Sequence, residues 1–238
     1  MQDYQRRFVD FLWECGAFRI GTFTLKRGRV SPTFVNMGLV EDGQGLLRLG
    51  EAFAGKLLDG VGPDGFDCVF GPAYKGIPLA VATAIALASR GVRKPYLFDR
   101  KERKTHGEEA SAKSASATVL VGHRPADGER IAMVDDVLTD GATKREAVDL
   151  LRSLVPGARF PALVVAVNRQ EVGADGRDAC ERFTADAGVP VFAAVTMTEA
   201  LRHLDGTGRL AAADRARCAD YLAQYGNAEA KAWAAEKR

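Results

Sequence analysis

"IAMVDDVLTDGAT", residues 131–143, joins an apolar tetrad to two adjacent aspartates and then to a loop of small residues. Four apolar residues in a row read as a strand buried on both faces. Thr139, Gly141, Ala142 and Thr143 carry so little bulk that backbone N–H groups can approach an anion. A helix starting there would aim its positive end at the same point. Asp135 and Asp136 cannot share that anion, because like charges repel. They suit hydroxyl groups or a cation, and adjacent carboxylates are good acceptors for vicinal sugar hydroxyls. The competing reading is that they only end a strand and cap a helix. The segment has no Gly-x-Gly-x-x-Gly and no Gly-Lys-Ser/Thr, so neither a dinucleotide fold nor a P-loop is supported.

Around this stretch strands and helices alternate. Apolar runs at 67–70, 95–98, 130–134, 162–167 and 189–195 read as strands, and 76–90, 143–155 and 178–187 read as helices. The pattern predicts an α/β fold, a mostly parallel sheet with helices on both faces. Ligands in such sheets bind where the carboxyl ends of the strands open into loops. "FGPAYKG" (70–76), "FDRKERKTHG" (98–107), "VDDVLTDGAT" (134–143) and "VNRQE" (167–171) are four such exits and are expected to converge on one edge.

The flanking segments differ in texture. Residues 1–40 combine an amphipathic helix at 3–15 with short threonine and valine runs, expected to form a small hood over the ligand edge. Residues 41–205 form the core, with a mobile loop at about 100–117, and 206–238 form a helical segment whose last dozen residues are expected to fray. "HRPADGER" (123–130) suggests a turn between two strands supporting that loop.

The 238 residues carry 33 basic and 31 acidic side chains, a net charge of +2, so no global field favours nucleic acid or an anionic membrane. The longest apolar run, 77–88, is too short to span a bilayer, and the charged N-terminus does not resemble a signal peptide. Cysteines at 15, 68, 180 and 218 and histidines at 106, 123 and 203 show no metal-ligand spacing. A cytoplasmic, reducing location without structural zinc is expected.

Arg100, Lys101, Arg103, Lys104 and His106 fall within seven residues at the end of a strand candidate, followed by the small, polar stretch "EEASAKSASAT". The run is either a solvated basic patch or part of a lid that closes on an anion.

The loop at 134–143 resembles the 5-phosphoribosyl 1-diphosphate (PRPP) motif of type I phosphoribosyltransferases, and Arg-Lys-x-x-Lys-x-His-Gly resembles the catalytic loop of orotate phosphoribosyltransferases. "TLKRGRVSP" (24–32), "FGPAYKGIP" (70–78) and "NRQE" (168–171) are similar to three further segments of that family, in its order. The resemblance implies transfer of a phosphoribosyl group from PRPP to orotate, with Mg²⁺ bound mainly through PRPP and no direct protein ligand. It implies that Lys26, Tyr74, Lys75, Arg100, Lys101, Lys104, His106 and residues Asp135, Asp136, Val137, Leu138, Thr139, Asp140, Gly141, Ala142 and Thr143 contact PRPP. Phe34, Val35, Thr139 and Arg169 would contact orotate, with Lys104 and His106 catalytic. A homodimer whose loops act across the interface is also implied. Asp140 departs from the pattern; facing a phosphate at about 4 Å it would cost roughly 1–4 kcal/mol, so it is expected to point outward or cap the helix. Rival readings are a phosphoribosyltransferase for another base and a PRPP-sensing regulator that binds nucleic acid.

Overall fold

The computed structural model describes residues 1–25, 28–101, 119–138 and 141–237. The chain begins with helix α1 (Asp3–Glu14), the antiparallel hairpin β1 (Phe18–Thr24) and β2 (Val30–Val35), and helix α2 (Gly43–Val61). There follow β3 (Cys68–Gly71), α3 (Gly76–Ala88), β4 (Tyr96–Asp99), β5 (Leu120–Gly122), β6 (Ile131–Asp135), α4 (Ala142–Leu154), β7 (Leu163–Asn168), α5 (Ala179–Ala187) and β8 (Val191–Thr196). Helices α6 (Met197–Gly206), α7 (Ala212–Tyr225) and α8 (Ala228–Glu236) come last.

The main sheet has the order β5-β4-β3-β6-β7-β8, parallel throughout except for β5 against β4. Alternation within the apolar strands feeds two cores. Val69, Ala132, Val134, Val164 and Ala166 face a layer built from α1, α2, α3 and α6 to α8. Cys68, Phe70, Ile131, Met133, Leu163 and Val165 face α4 and α5. Burial on both faces is why these strands read as unbroken apolar runs. The parallel direction places the ends of β4, β3, β6 and β7 side by side on one edge.

Helix α1 belongs to the larger core through Phe8, Val9 and Leu12, so within the first forty residues only the hairpin forms a sheet of its own. The expected fraying of the last dozen residues is corrected: Trp233 on α8 is fully buried. Its indole N–H has no hydrogen-bond partner among the described residues, a cost of about 1–3 kcal/mol. Burying so large a ring, worth about 3–5 kcal/mol against alanine, outweighs that. Among the described residues no helix is long and apolar enough to cross a membrane.

Asp205 at the end of α6 binds Arg215 of α7 at 2.7 Å and Lys237 beyond α8 at 2.9 Å. These cations, Arg215 first, hold its carboxyl below the usual range. A carboxyl lowered in the folded state stabilises fully above its unfolded value and loses that contribution as pH falls through the folded one. Asp205→Asn is therefore expected to lower Tm at neutral pH by about 2–4 °C, in keeping with roughly 1 kcal/mol. The gap should close as pH falls below the ordinary value of 3.8; a gap constant from pH 7 to pH 2 in paired melting curves would refute the linkage.

Candidate active site

The exit from β3 is shaped by glycine. A Cβ on Gly71 would lie 1.9 Å from the Gly76 carbonyl oxygen, so only glycine lets the chain turn this tightly into α3. The Ala73 N–H donates to Asp99 Oδ1 at the end of β4 (2.6 Å), and the Ala73–Tyr74 peptide is cis. Tyr74 is 72% exposed, which excludes a core role. From the next position Lys75 donates to Asp136 Oδ2 at 2.8 Å, joining the β3 exit to the β6 exit.

The acidic pair at the end of β6 is fully engaged. Asp135 Oδ1 accepts from the Asp136 N–H (2.8 Å), and its Oδ2 lies 2.6 Å from Lys144 Nζ. Asp136 Oδ1 accepts from the Val137 N–H at 2.7 Å, and the Asp136 carbonyl accepts from Ala166 on β7 at 2.9 Å. Burial pushes the Asp135 carboxyl above the usual range, while the Lys144 ammonium pulls it back. The bond to Asp136 raises the Lys75 ammonium instead. The two ion pairs differ in what they cost to open. Lys144 is 13% exposed against Asp135 at 6%, whereas Lys75 is 72% exposed. An exposed pair is worth about 0–1 kcal/mol, but breaking a buried one by removing a partner costs about 3–5 kcal/mol. Lys75 is therefore the exchangeable lysine and Lys144 the fixed one. Each carboxylate oxygen keeps a second lone pair for a hydroxyl.

Helix α4 begins directly after this loop. Its N-cap is Gly141, at φ 72° and with no side-chain cap bond. A Cβ on Gly141 would meet Phe183 at 2.7 Å. Ala142 and Thr143 are exposed in the first turn, Val137 is half-buried, and Leu138 packs against the second core.

At the end of β7 the backbone of Gln170 takes the left-handed region at φ 57°. Four hydrogen bonds hold it there: its N–H to Asn168, its carbonyl from Asn227, its amide to Glu229, and its side-chain oxygen from the Thr198 N–H. Such a conformation costs about 1–3 kcal/mol and persists only where surroundings over-determine it. It fixes the direction of the preceding residue, Arg169, whose guanidinium binds Glu171 and reaches Ser31 Oγ on the hairpin at 3.4 Å. Arg169 Nε is buried without a hydrogen-bond partner among the described residues. Arg29 of the hairpin lies 3.6 Å from Glu171 and 4.1 Å above the Tyr225 ring.

On the hairpin, Phe34 is 37% exposed and stacked on Phe23 with centroids 5.3 Å apart. Val35 packs against the larger core. The two side chains alternate across the strand, so Phe34 alone presents an aromatic face to a ligand, and Val35 can offer only its backbone there. Lys101 Nζ is 4.0 Å from Asp99, and the Arg100 N–H donates to the Val119 carbonyl, joining the end of β4 to the residue before β5. Lys26, Lys104, His106, Thr139 and Asp140 lie outside the described residues.

The structure thus joins the exits of β3, β4 and β6 directly and brings the β7 exit to the hairpin. The sequence reading missed Asp99, Lys144, Gln170 and Glu171. Lys144 carried a signal: a cation in the first turn of a helix opposes the dipole and needs a partner. Asp99 was masked by the basic run that follows it.

Comparison with known proteins matches residues 37–183 to the phosphoribosyl transferase domain family. An orotate phosphoribosyltransferase of Methylococcus capsulatus is 43% identical over 96% of the chain and all of its own length. One of Pseudomonas paraeruginosa is 44% identical over 95% of the chain, again at full length. Among solved structures, the orotate phosphoribosyltransferase of Francisella tularensis superimposes with a TM-score of 0.76 at 29% identity, covering 92% of this chain and 96% of its own. The UMP synthase of Leishmania donovani gives 0.65 at 25% identity, over 93% of this chain and 42% of its own.

Proposed function

The chain belongs to the orotate phosphoribosyltransferase family, and from that premise we propose how its residues divide the reaction. The activity is transfer of the phosphoribosyl group of PRPP to orotate, giving orotidine 5'-monophosphate and diphosphate in pyrimidine synthesis. Breaking the bond from C1 to the leaving oxygen puts positive charge on the ribose and negative charge on the diphosphate. Catalysis is then chiefly electrostatic, and no covalent nucleophile is required.

In this reading the backbone from Thr139 to Thr143 cradles the 5-phosphate at the start of α4, and Asp135 and Asp136 accept the ribose hydroxyls. Lys75, exposed and only loosely held, leaves Asp136 for the diphosphate as the sugar arrives. Lys144 keeps Asp135 in place throughout. Lys26, Arg100, Lys101, Lys104 and His106 meet the leaving group, with Lys104 and His106 nearest the breaking bond. Phe34 stacks on the base, and the half-exposed guanidinium of Arg169 is the donor for the carboxylate of orotate. The loop at 100–117 serves the site of a second copy in a homodimer.

Type I phosphoribosyltransferases generally use Mg²⁺ with PRPP. Three carboxylates at this edge, Asp99, Asp135 and Asp136, already face lysines. That fits an ion held by the diphosphate and its own waters rather than by a protein cage. When bound it neutralises the leaving diphosphate.

The observation that carries this reading is the convergence of an acidic pair, two lysines and a half-buried arginine on the carboxyl edge of the sheet's parallel strands. Its test is the fall in orotate absorbance on mixing with PRPP. Turnover should require both PRPP and Mg²⁺, and consumption of PRPP with a purine but not with orotate would overturn the base assignment.

A further inference from the structure

The opposite edge of the sheet holds a second cluster. Cys68 is the first residue of β3, His123 follows the antiparallel β5, and Glu129 stands two residues before β6. The His123 N–H donates to the carbonyl of Tyr96, the first residue of β4. All three residues therefore sit at the amino-terminal edge, a strand length of about 10 Å or more from the phosphoribosyl site. The Cys68 sulfur, a His123 ring nitrogen and a Glu129 carboxylate oxygen lie within 4.8 Å of one another.

We propose that Cys68, His123 and Glu129 form a zinc site. The spacing of 55 residues between Cys68 and His123 hid it from the sequence, where no ligand pattern is visible. A thiolate and a carboxylate together carry two negative charges and the imidazole is neutral, so the set balances one divalent cation at a buried place. Sulfur and nitrogen donors select zinc over magnesium or calcium, which take oxygen. His123 Nε2 and Glu129 Oε1 are now 2.6 Å apart, and they need open by less than about 1 Å to reach tetrahedral separations around bonds of roughly 2 Å.

The surroundings orient the donors as an outer shell does. Glu129 Oε2 accepts from the Ala126 N–H at 2.6 Å, across the turn that joins β5 to β6. Asp67, the neighbouring acid, is occupied by Arg130 through its side chain and backbone. It is not a fourth ligand, and the fourth position falls to water, reached beside the partly exposed imidazole (29% exposed). The ion would pin the start of β3 to the β5–β6 turn and act on stability, not on the transfer reaction.

The test is titration of the chelator-treated full chain with Zn²⁺, and with Co²⁺ as a spectroscopic probe. One equivalent should bind, with a thiolate-to-cobalt charge-transfer band in the near ultraviolet and a rise in Tm. Cys68→Ser should abolish the band, and His123→Ala should weaken binding by about a hundredfold or more, beyond the loss caused by removing an outer-shell partner. Both variants should still turn over orotate, which reports that they fold. No band in the wild-type chain, or a band and affinity unchanged in Cys68→Ser, would overturn the site.

Discussion

Lys104→Ala is expected to lower kcat by about a hundredfold or more at saturating PRPP and orotate. The diphosphate gains charge as its bond to C1 breaks, so a cation placed against it stabilises the transition state more than the ground state, and its removal appears in kcat. Losing one preorganised donor of this kind typically costs about 10²–10³ in rate. Lys104 lies outside the described residues, so the Tm of the variant is measured beside kcat to separate a catalytic loss from unfolding. Steady-state kinetics decide the matter. Turnover within a few-fold of wild type would remove Lys104 from the catalytic set, even if the KM for PRPP rose.

Arg169→Met should raise the KM for orotate by about 10- to 100-fold, with little change in the KM for PRPP. Hydrogen bonds from a charged donor contribute about 1.5–3 kcal/mol, and methionine keeps the apolar stem while removing every donor. The fold should tolerate the change, because Glu171 keeps Arg29 as a counter-ion and Gln170 is held by bonds that do not involve Arg169. Kinetics with each substrate varied in turn separate this outcome from general damage. An unchanged orotate KM would show that the carboxylate is bound elsewhere.

Much of this architecture was legible because strands buried on both faces must be written in unbroken apolar residues. "CVF", "IAMV" and "LVVAV" announced parallel neighbours, and the polar exits behind them announced the edge where ligands gather. What could not be read was pairing across the edge. Nothing in "DDV" says which lysine each carboxylate meets, since that depends on strand order and on side chains from α3 and α4. Residue type alone favoured Phe34 over Val35 as the stacking partner of the base, and strand alternation sends Phe34 outward and Val35 into the core. The last helix looked expendable by composition, because one buried tryptophan among alanines is a weak signal in a sequence and a large one in a core.

The hairpin is among the first parts of the chain to leave the ribosome, yet its partners are among the last. Ser31 and Arg29 meet Arg169, Glu171 and Tyr225, and Gln5 of α1 donates to the Ala194 carbonyl. At synthesis rates of about 5–20 residues per second, the interval between residues 35 and 225 is roughly 10–40 s. A nascent chain can pair its central strands in that time, but its hairpin has nothing to lean on. If the hairpin binds the base as proposed, orotate recognition should appear late in synthesis, and abruptly, when α7 docks.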